Sequence, residues 1–219
     1  MKKGIAIFLG VLLGFSSLSC YCQSEKGREL LQEVKNKFDA IQDFSADMMY
    51  EIGNPSGNQV KISKNGKFLF AEGKYRFQAD DLEIYSDGQT LWIHQFADSP
   101  ANEELEITAV DSAEDQGLFL LFFIMSDPNW TPEYLGEKKL ADTSYEKVSL
   151  SSGNANLDFI RMNLWINAST YFPEKVVALD RGLTRISCEF SNILLNQDLP
   201  ESTFRFDTSN FQGRIYDDR

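Results

Sequence analysis

Residues 74–93, KYRFQADDLEIYSDGQTLWI, decide the fold. Tyr75, Phe77 and Ala79 are apolar and alternate with Lys74, Arg76, Gln78 and Asp80, the period-two pattern of a half-buried strand. Asp80-Asp81 and Ser86-Asp87-Gly88-Gln89 interrupt the alternation with turn chemistry, and Thr90-Leu91-Trp92-Ile93 resumes it. Three short strands joined by tight turns give an antiparallel meander with one greasy face and one wet face. The stretch holds no nucleophile–base pair, no metal-ligand cluster and no phosphate-binding loop.

The pattern continues on both sides. Upstream, residues 25–41 predict an amphipathic helix, because Leu30, Val34, Phe38 and Ile41 fall on one face with Leu31 beside them. At Asp43 the period changes to two: Phe44, Ala46, Met48, Tyr50 and Ile52 alternate with Ser45, Asp47, Met49 and Glu51. Residues 54–58 read as a turn, then strands are expected over 59–64 and 67–71, with Asn65-Gly66 as the break between them. Further strands are expected over 104–108, 134–140, 145–150, 157–166, 172–179, 183–194 and 203–206. Residues 113–127 carry the apolar run Gly117–Met125, ended by Pro128 and too short to cross a bilayer. A helix suits it, either as buried core or as a lid over a cavity. The fold class is α+β, mostly β: a strongly curved antiparallel sheet of about 11–12 strands with helices against its concave face.

The first 22 residues form an export signal: Lys2 and Lys3, an apolar run from Ile5 to Phe15, then small residues up to Cys20-Tyr21-Cys22. Ordinary cleavage falls after Cys22 or before Cys20. Lipoprotein processing would instead make Cys20 a lipidated N-terminus, but Ser17 stands where that route usually has Leu, and the soluble product is preferred. Residues 23–219 then make one domain with a real core. Cleavage after Cys22 leaves Cys188, which cannot form an intramolecular disulfide and whose alternating neighbours suggest a buried small hydrophobe. The chain has 21 basic and 33 acidic residues, a net charge of −12. That balance argues against nucleic acid, whose affinity rests on Lys and Arg at phosphates, and it also disfavours anionic lipid surfaces.

Chemistry is missing elsewhere too. His94 is the one histidine, so no Ser-His-Asp or Cys-His arrangement exists without it, and a zinc site would need mostly carboxylates. It reads as a polar residue at a strand end. No dinucleotide or Walker pattern occurs. No enzyme, cofactor or metal is expected. The positive signal is 17 Phe, 8 Tyr and 3 Trp, enough for a large core or for an apolar concavity that holds a ligand.

Five pieces in order resemble one family. They are the amphipathic helix leading into Asp43-Phe44-Ser45-Ala46-Asp47; Gly66-Lys67-Phe68-Leu69-Phe70; Gly73-Lys74-Tyr75-Arg76-Phe77; Tyr85-Ser86-Asp87-Gly88-Gln89-Thr90-Leu91-Trp92; and Leu199-Pro200 through Phe204-Arg205-Phe206 to Ile215-Tyr216-Asp217-Asp218-Arg219. Together they are similar to the periplasmic outer-membrane lipoprotein carriers of the LolA type, in the form usual in Bacteroidetes-like relatives. The resemblance implies an unclosed β-barrel with a helical lid and a hydrophobic cavity between them. It implies a periplasmic, monomeric carrier of triacylated lipoproteins, loaded by an inner-membrane ATP-driven transporter and unloaded by an outer-membrane acceptor. Lipid-anchored acceptors and envelope sensors share the fold and are the alternatives. Resemblance and periodicity together place Leu30, Val34, Phe38, Met48, Phe68, Phe70, Tyr75, Phe77, Ile160, Met162 and Leu164 at the cavity, with Phe119, Phe122 and Phe123 from the lid. One departure stands out: the family's Arg-Pro latch at the second strand's end is replaced by Ala71-Glu72-Gly73.

Overall fold

A computed structural model describes residues 14–110, 130–153 and 159–219, with side chains from Gln23 onward. One long helix, α1 (Gly14–Asp39), leads into twelve strands: β1 (Asp43–Gly53), β2 (Val60–Ala71), β3 (Lys74–Ala79), β4 (Leu82–Ser86), β5 (Thr90–Gln95), β6 (Glu104–Ala109), β7 (Trp130–Leu140), β8 (Thr143–Ser152), β9 (Phe159–Asn167), β10 (Pro173–Asp180), β11 (Arg185–Leu195) and β12 (Arg214–Asp217). They form a single open, curved sheet in the order β12-β6-β5-β4-β3-β2-β1-β11-β10-β9-β8-β7. Eleven of the strands pair antiparallel with their neighbours; β12 runs parallel to β6. The expected mostly-β, unclosed sheet is what the chain adopts.

The register carries one face straight across the sheet. Phe44, Ala46 and Met48 of β1 pair with Phe70, Phe68 and Gly66 of β2, and Phe68 and Phe70 pair in turn with Phe77 and Tyr75 of β3. In the other direction Met48 pairs with Phe190, Cys188 with Val176, Val176 with Leu164, and Leu164 with Val148. These residues share the face because strand side chains alternate and the register keeps their parity. α1 lies over the β7 end of this face and puts Leu30 and Val34 into the same apolar cluster. Burying each is worth roughly 1.5–3 kcal/mol.

The outer face has its own small core. Tyr85 and Trp92 pair across β4 and β5, and with Leu105 and Ile107 of β6 they pack beneath Phe206 and Phe211 of the C-terminal segment. That segment departs from the expectation of a strand at 203–206. Glu201–Phe204 is a 3-10 turn that buries Phe204, and the last strand comes later, at β12.

Two further boundaries differ. The strands expected at 59–64 and 67–71 are one strand, β2, running through Asn65-Gly66. Gly66 sits mid-strand because a Cβ there would collide with the Gln78 carbonyl oxygen and lie 2.8 Å from the Phe77 ring. The helix starts at Gly14 instead of residue 25 and continues through residues 20–23.

Candidate functional site

The helix-covered face is lined by Met48, Phe68, Tyr75 and Phe77 on one side and Met162, Leu164, Val148 and Val176 on the other, with Ser86 buried beside Tyr75. Of the residues expected at a cavity, Leu30, Val34, Met48, Phe68, Tyr75, Phe77, Met162 and Leu164 fall in this one cluster, and Phe38 and Phe70 pack against it. Ile160 does not. A register shift between Leu179 and Asp180 leaves it unpaired with β10, so it is half-buried and Phe159 takes the inward place. Phe119, Phe122 and Phe123 lie outside the described residues.

The sequence reading passed over Phe44, Phe172 and Phe190. Phe44 touches Phe38, Phe68, Phe70 and Phe172, and Phe190 touches Phe68 and Phe172. Phe38 and Phe172 stack at 5.2 Å where α1 ends. These rings close one end of the face. Phe44 and Phe190 were legible, since each follows the alternation of its strand. Phe172 was not, because it stands just before β10, at one end of the expected strand over 172–179, where no alternation fixes its face. A groove of about 430 Å³ opens beside the rings, floored by Phe172, Phe190, Ile193 and Leu195 and rimmed by Lys37, Tyr145 and Glu174. That volume falls in the range of small-molecule and lipid-tail sites.

The electrostatics of the face are quiet. Burial raises the Tyr75 phenol well above its ordinary value and pushes the Cys188 thiol up to about 12, so neither ionises near neutrality. Cys188 is the inert buried thiol expected. Among the described residues no group of three or more His, Cys, Asp or Glu is placed to hold a metal ion.

The family model for "Outer membrane lipoprotein carrier protein LolA" matches residues 42–207. The chain belongs to the LolA family. Its relatives are distant. An uncharacterised protein of Methanocaldococcus jannaschii is 20% identical over 210 residues, 93% of this chain and 58% of that protein, so the chain spans little more than half of the relative it matches. Among solved structures, an uncharacterised conserved protein of Thermus thermophilus superposes with a TM-score of 0.55 at 13% identity, covering 87% of this chain and 99% of that one. MucB superposes at 0.50 with 14% identity, covering 84% of this chain and 64% of that one. These likenesses show the fold. The LolA family is one of carriers, not enzymes.

In this LolA-family chain the motifs have structural roles. The Asp43 carboxylate, buried at the start of β1, accepts from the backbone N–H of Gln197 at 2.7 Å and of Leu199 at 3.1 Å. It thereby ties the first strand to the segment after β11. Asp87 accepts from the N–H groups of Gln89 and Thr90 and pairs with Arg205 at 3.0 Å. Gly88 supplies the positive φ of 87° that the turn needs. Tyr85 and Trp92 of the same motif belong to the outer face.

Ala71-Glu72-Gly73 closes β2 onto β3 as a two-residue turn with φ of 49° at Glu72 and 82° at Gly73. The two nearby cations are engaged away from the helix-covered face. Lys74 pairs with Glu201 at 2.8 Å. Arg76, outward as its alternation required, pairs with Glu83 at 2.8 Å and stacks on Tyr85. His94 is at the end of β5 as expected but is buried, with Nε2 2.9 Å from Glu103 and its ring against Phe96, Phe206 and Phe211.

Proposed function

We propose that this protein is a periplasmic carrier that shields the acyl chains of lipoproteins on its helix-covered face and moves them from the inner to the outer membrane. The observation that carries the reading is the large apolar face in a chain of the LolA family. The physical need is plain: each exposed CH₂ costs roughly 0.8 kcal/mol in water, so a triacylated N-terminus leaves a bilayer only if a comparable apolar surface receives it. Met48, Phe68, Tyr75, Phe77, Met162 and Leu164 form the sheet side of that surface, with Leu30, Val34 and Phe38 opposite.

In this reading residues 1–22 are removed on export and the protein works as a monomer between an ATP-driven transporter and an outer-membrane acceptor. No helix among the described residues is long and apolar enough to cross a membrane. The test is release of a lipoprotein from spheroplasts that hold the loading transporter. The carrier releases it into solution as a 1:1 complex; no release with active transporter removes the reading. The mass of the mature N-terminus separates carrier from anchored acceptor, since a lipidated Cys20 belongs to the acceptor.

A further inference from the structure

The end of the sheet away from the aromatic closure has a different surface. Ile52 pairs with both Ile62 and Ile186, and Gly53 with both Val60 and Arg185, so the β1–β2 and β10–β11 turns stand side by side there. Ile52 and Ile186 are half-buried, and Ile186 packs against the main cluster. Val60 and Ile62 are 45% and 43% exposed. Ile62, opposite Ile52, carries the apolar face out to this rim; the register shift between Ile52 and Gly53 turns Val60 to the other side of it, and both are open to water.

The β10–β11 turn adds Leu183. The Leu183 N–H donates to the Asp180 carbonyl, and the N–H of Thr184 to the Asp180 carboxylate at 2.6 Å. Such a turn wants a residue with positive φ at position 183, and glycine is the usual choice. This chain places Gly182 one residue early and holds Leu183 at φ 62° with 55% of its surface exposed. The leucine is thus held in a left-handed conformation with its apolar side chain in solvent.

The charges at this rim run against those of the whole chain. Among the described residues Lys61, Arg181 and Arg185 stand there, Arg181 with a partner of its own, together with Glu51, which lies 3.9 Å from Arg185, and Asp180, whose carboxylate caps the turn. Residues 54–59 carry no charge. On a protein of net charge −12, this is a locally basic rim around an apolar tip, the composition that suits an anionic bilayer surface.

We infer that this end of the half-barrel docks on anionic lipid, with Leu183 inserted among the headgroups and Val60 and Ile62 resting against the bilayer. Docking there brings the open apolar face to the membrane in which its cargo sits; in purpose, though not in observation, the inference rests on the carrier reading.

The test is co-sedimentation of the processed protein with phosphatidylglycerol vesicles and with phosphatidylcholine vesicles. The protein is expressed from the full chain carrying Cys20→Ser, so that no lipid anchor contributes. Leu183→Gly relieves the strain and removes the apolar tip. It is expected to unfold at the same temperature as the parent or higher while its partitioning to phosphatidylglycerol vesicles falls about tenfold or more. Arg181→Gln is expected to weaken binding to anionic vesicles alone. The inference is overturned if the parent does not bind anionic vesicles, or if Leu183→Gly binds them as well as the parent. Lipoprotein release from spheroplasts, unaffected by such a result, keeps the carrier reading standing separately.

Discussion

Asp43 shows how one side chain can set the path of a distant segment. Its carboxylate receives two backbone N–H groups from 197 and 199 in a buried setting. Asp43→Asn keeps the size but turns an amide NH₂ toward one of those donors. The expected loss is about 1–3 kcal/mol, read as a lower urea midpoint with an unchanged m-value. An unchanged midpoint would show that the two bonds contribute nothing. At this scale the alternation of 44, 46 and 48 and of 75 and 77 told which side chains face inward. It did not tell that Asp43 and Ser45, on the other parity, are buried as well, because that burial comes from a segment some 150 residues away that no local pattern announces.

Element boundaries were legible wherever turn chemistry and strand pairing agreed. β3, β4 and β5 are separated where the turn residues at 80–81 and 86–89 placed the breaks. Asn65-Gly66 misled because it carries a strong turn signal inside a strand whose Gly is demanded by the neighbouring backbone. Gly66→Ala is expected to push β2 from β3 and cost about 1–3 kcal/mol; wild-type stability would mean the approach is looser than described. The Ile160 bulge misled in the same way: the extra residue puts Phe159, before it, on the inward face while Met162 and Leu164, after it, keep the face the alternation gave them, and alternation alone does not place a bulge. At the β2–β3 turn the opposite change helps. Glu72 holds a φ of 49° that asparagine adopts more readily, so Glu72→Asn is expected to raise the thermal midpoint with no change in the strands it joins.

The whole molecule is a sheet with two apolar faces of unequal size, one under α1 and one under the C-terminal segment. The larger was foreseen and the smaller was not, because Tyr85 and Trp92 look like cavity residues until the register puts them on the opposite parity from Tyr75 and Phe77. Buried acids without charge give the molecule a pH signature. Burial pushes the Tyr50 phenol and the Cys188 thiol up to about 12 and the Tyr75 phenol up as well. Their unfolded values are near 9 to 10, so the folded state holds protons that the unfolded state has lost in that window. Stability is expected to be level below about pH 9 and to fall as pH rises toward 12; a level profile through pH 11 would contradict the burial. The central claim is that acyl chains lie on the helix-covered face. It is tested most directly by loading the protein with a lipoprotein whose acyl chains carry a photoreactive group and mapping the cross-links. Cross-links at Met48, Tyr75, Phe77, Met162 and Leu164 are the predicted result, and cross-links confined to Tyr85, Trp92 and Ile107 on the outer face would contradict it.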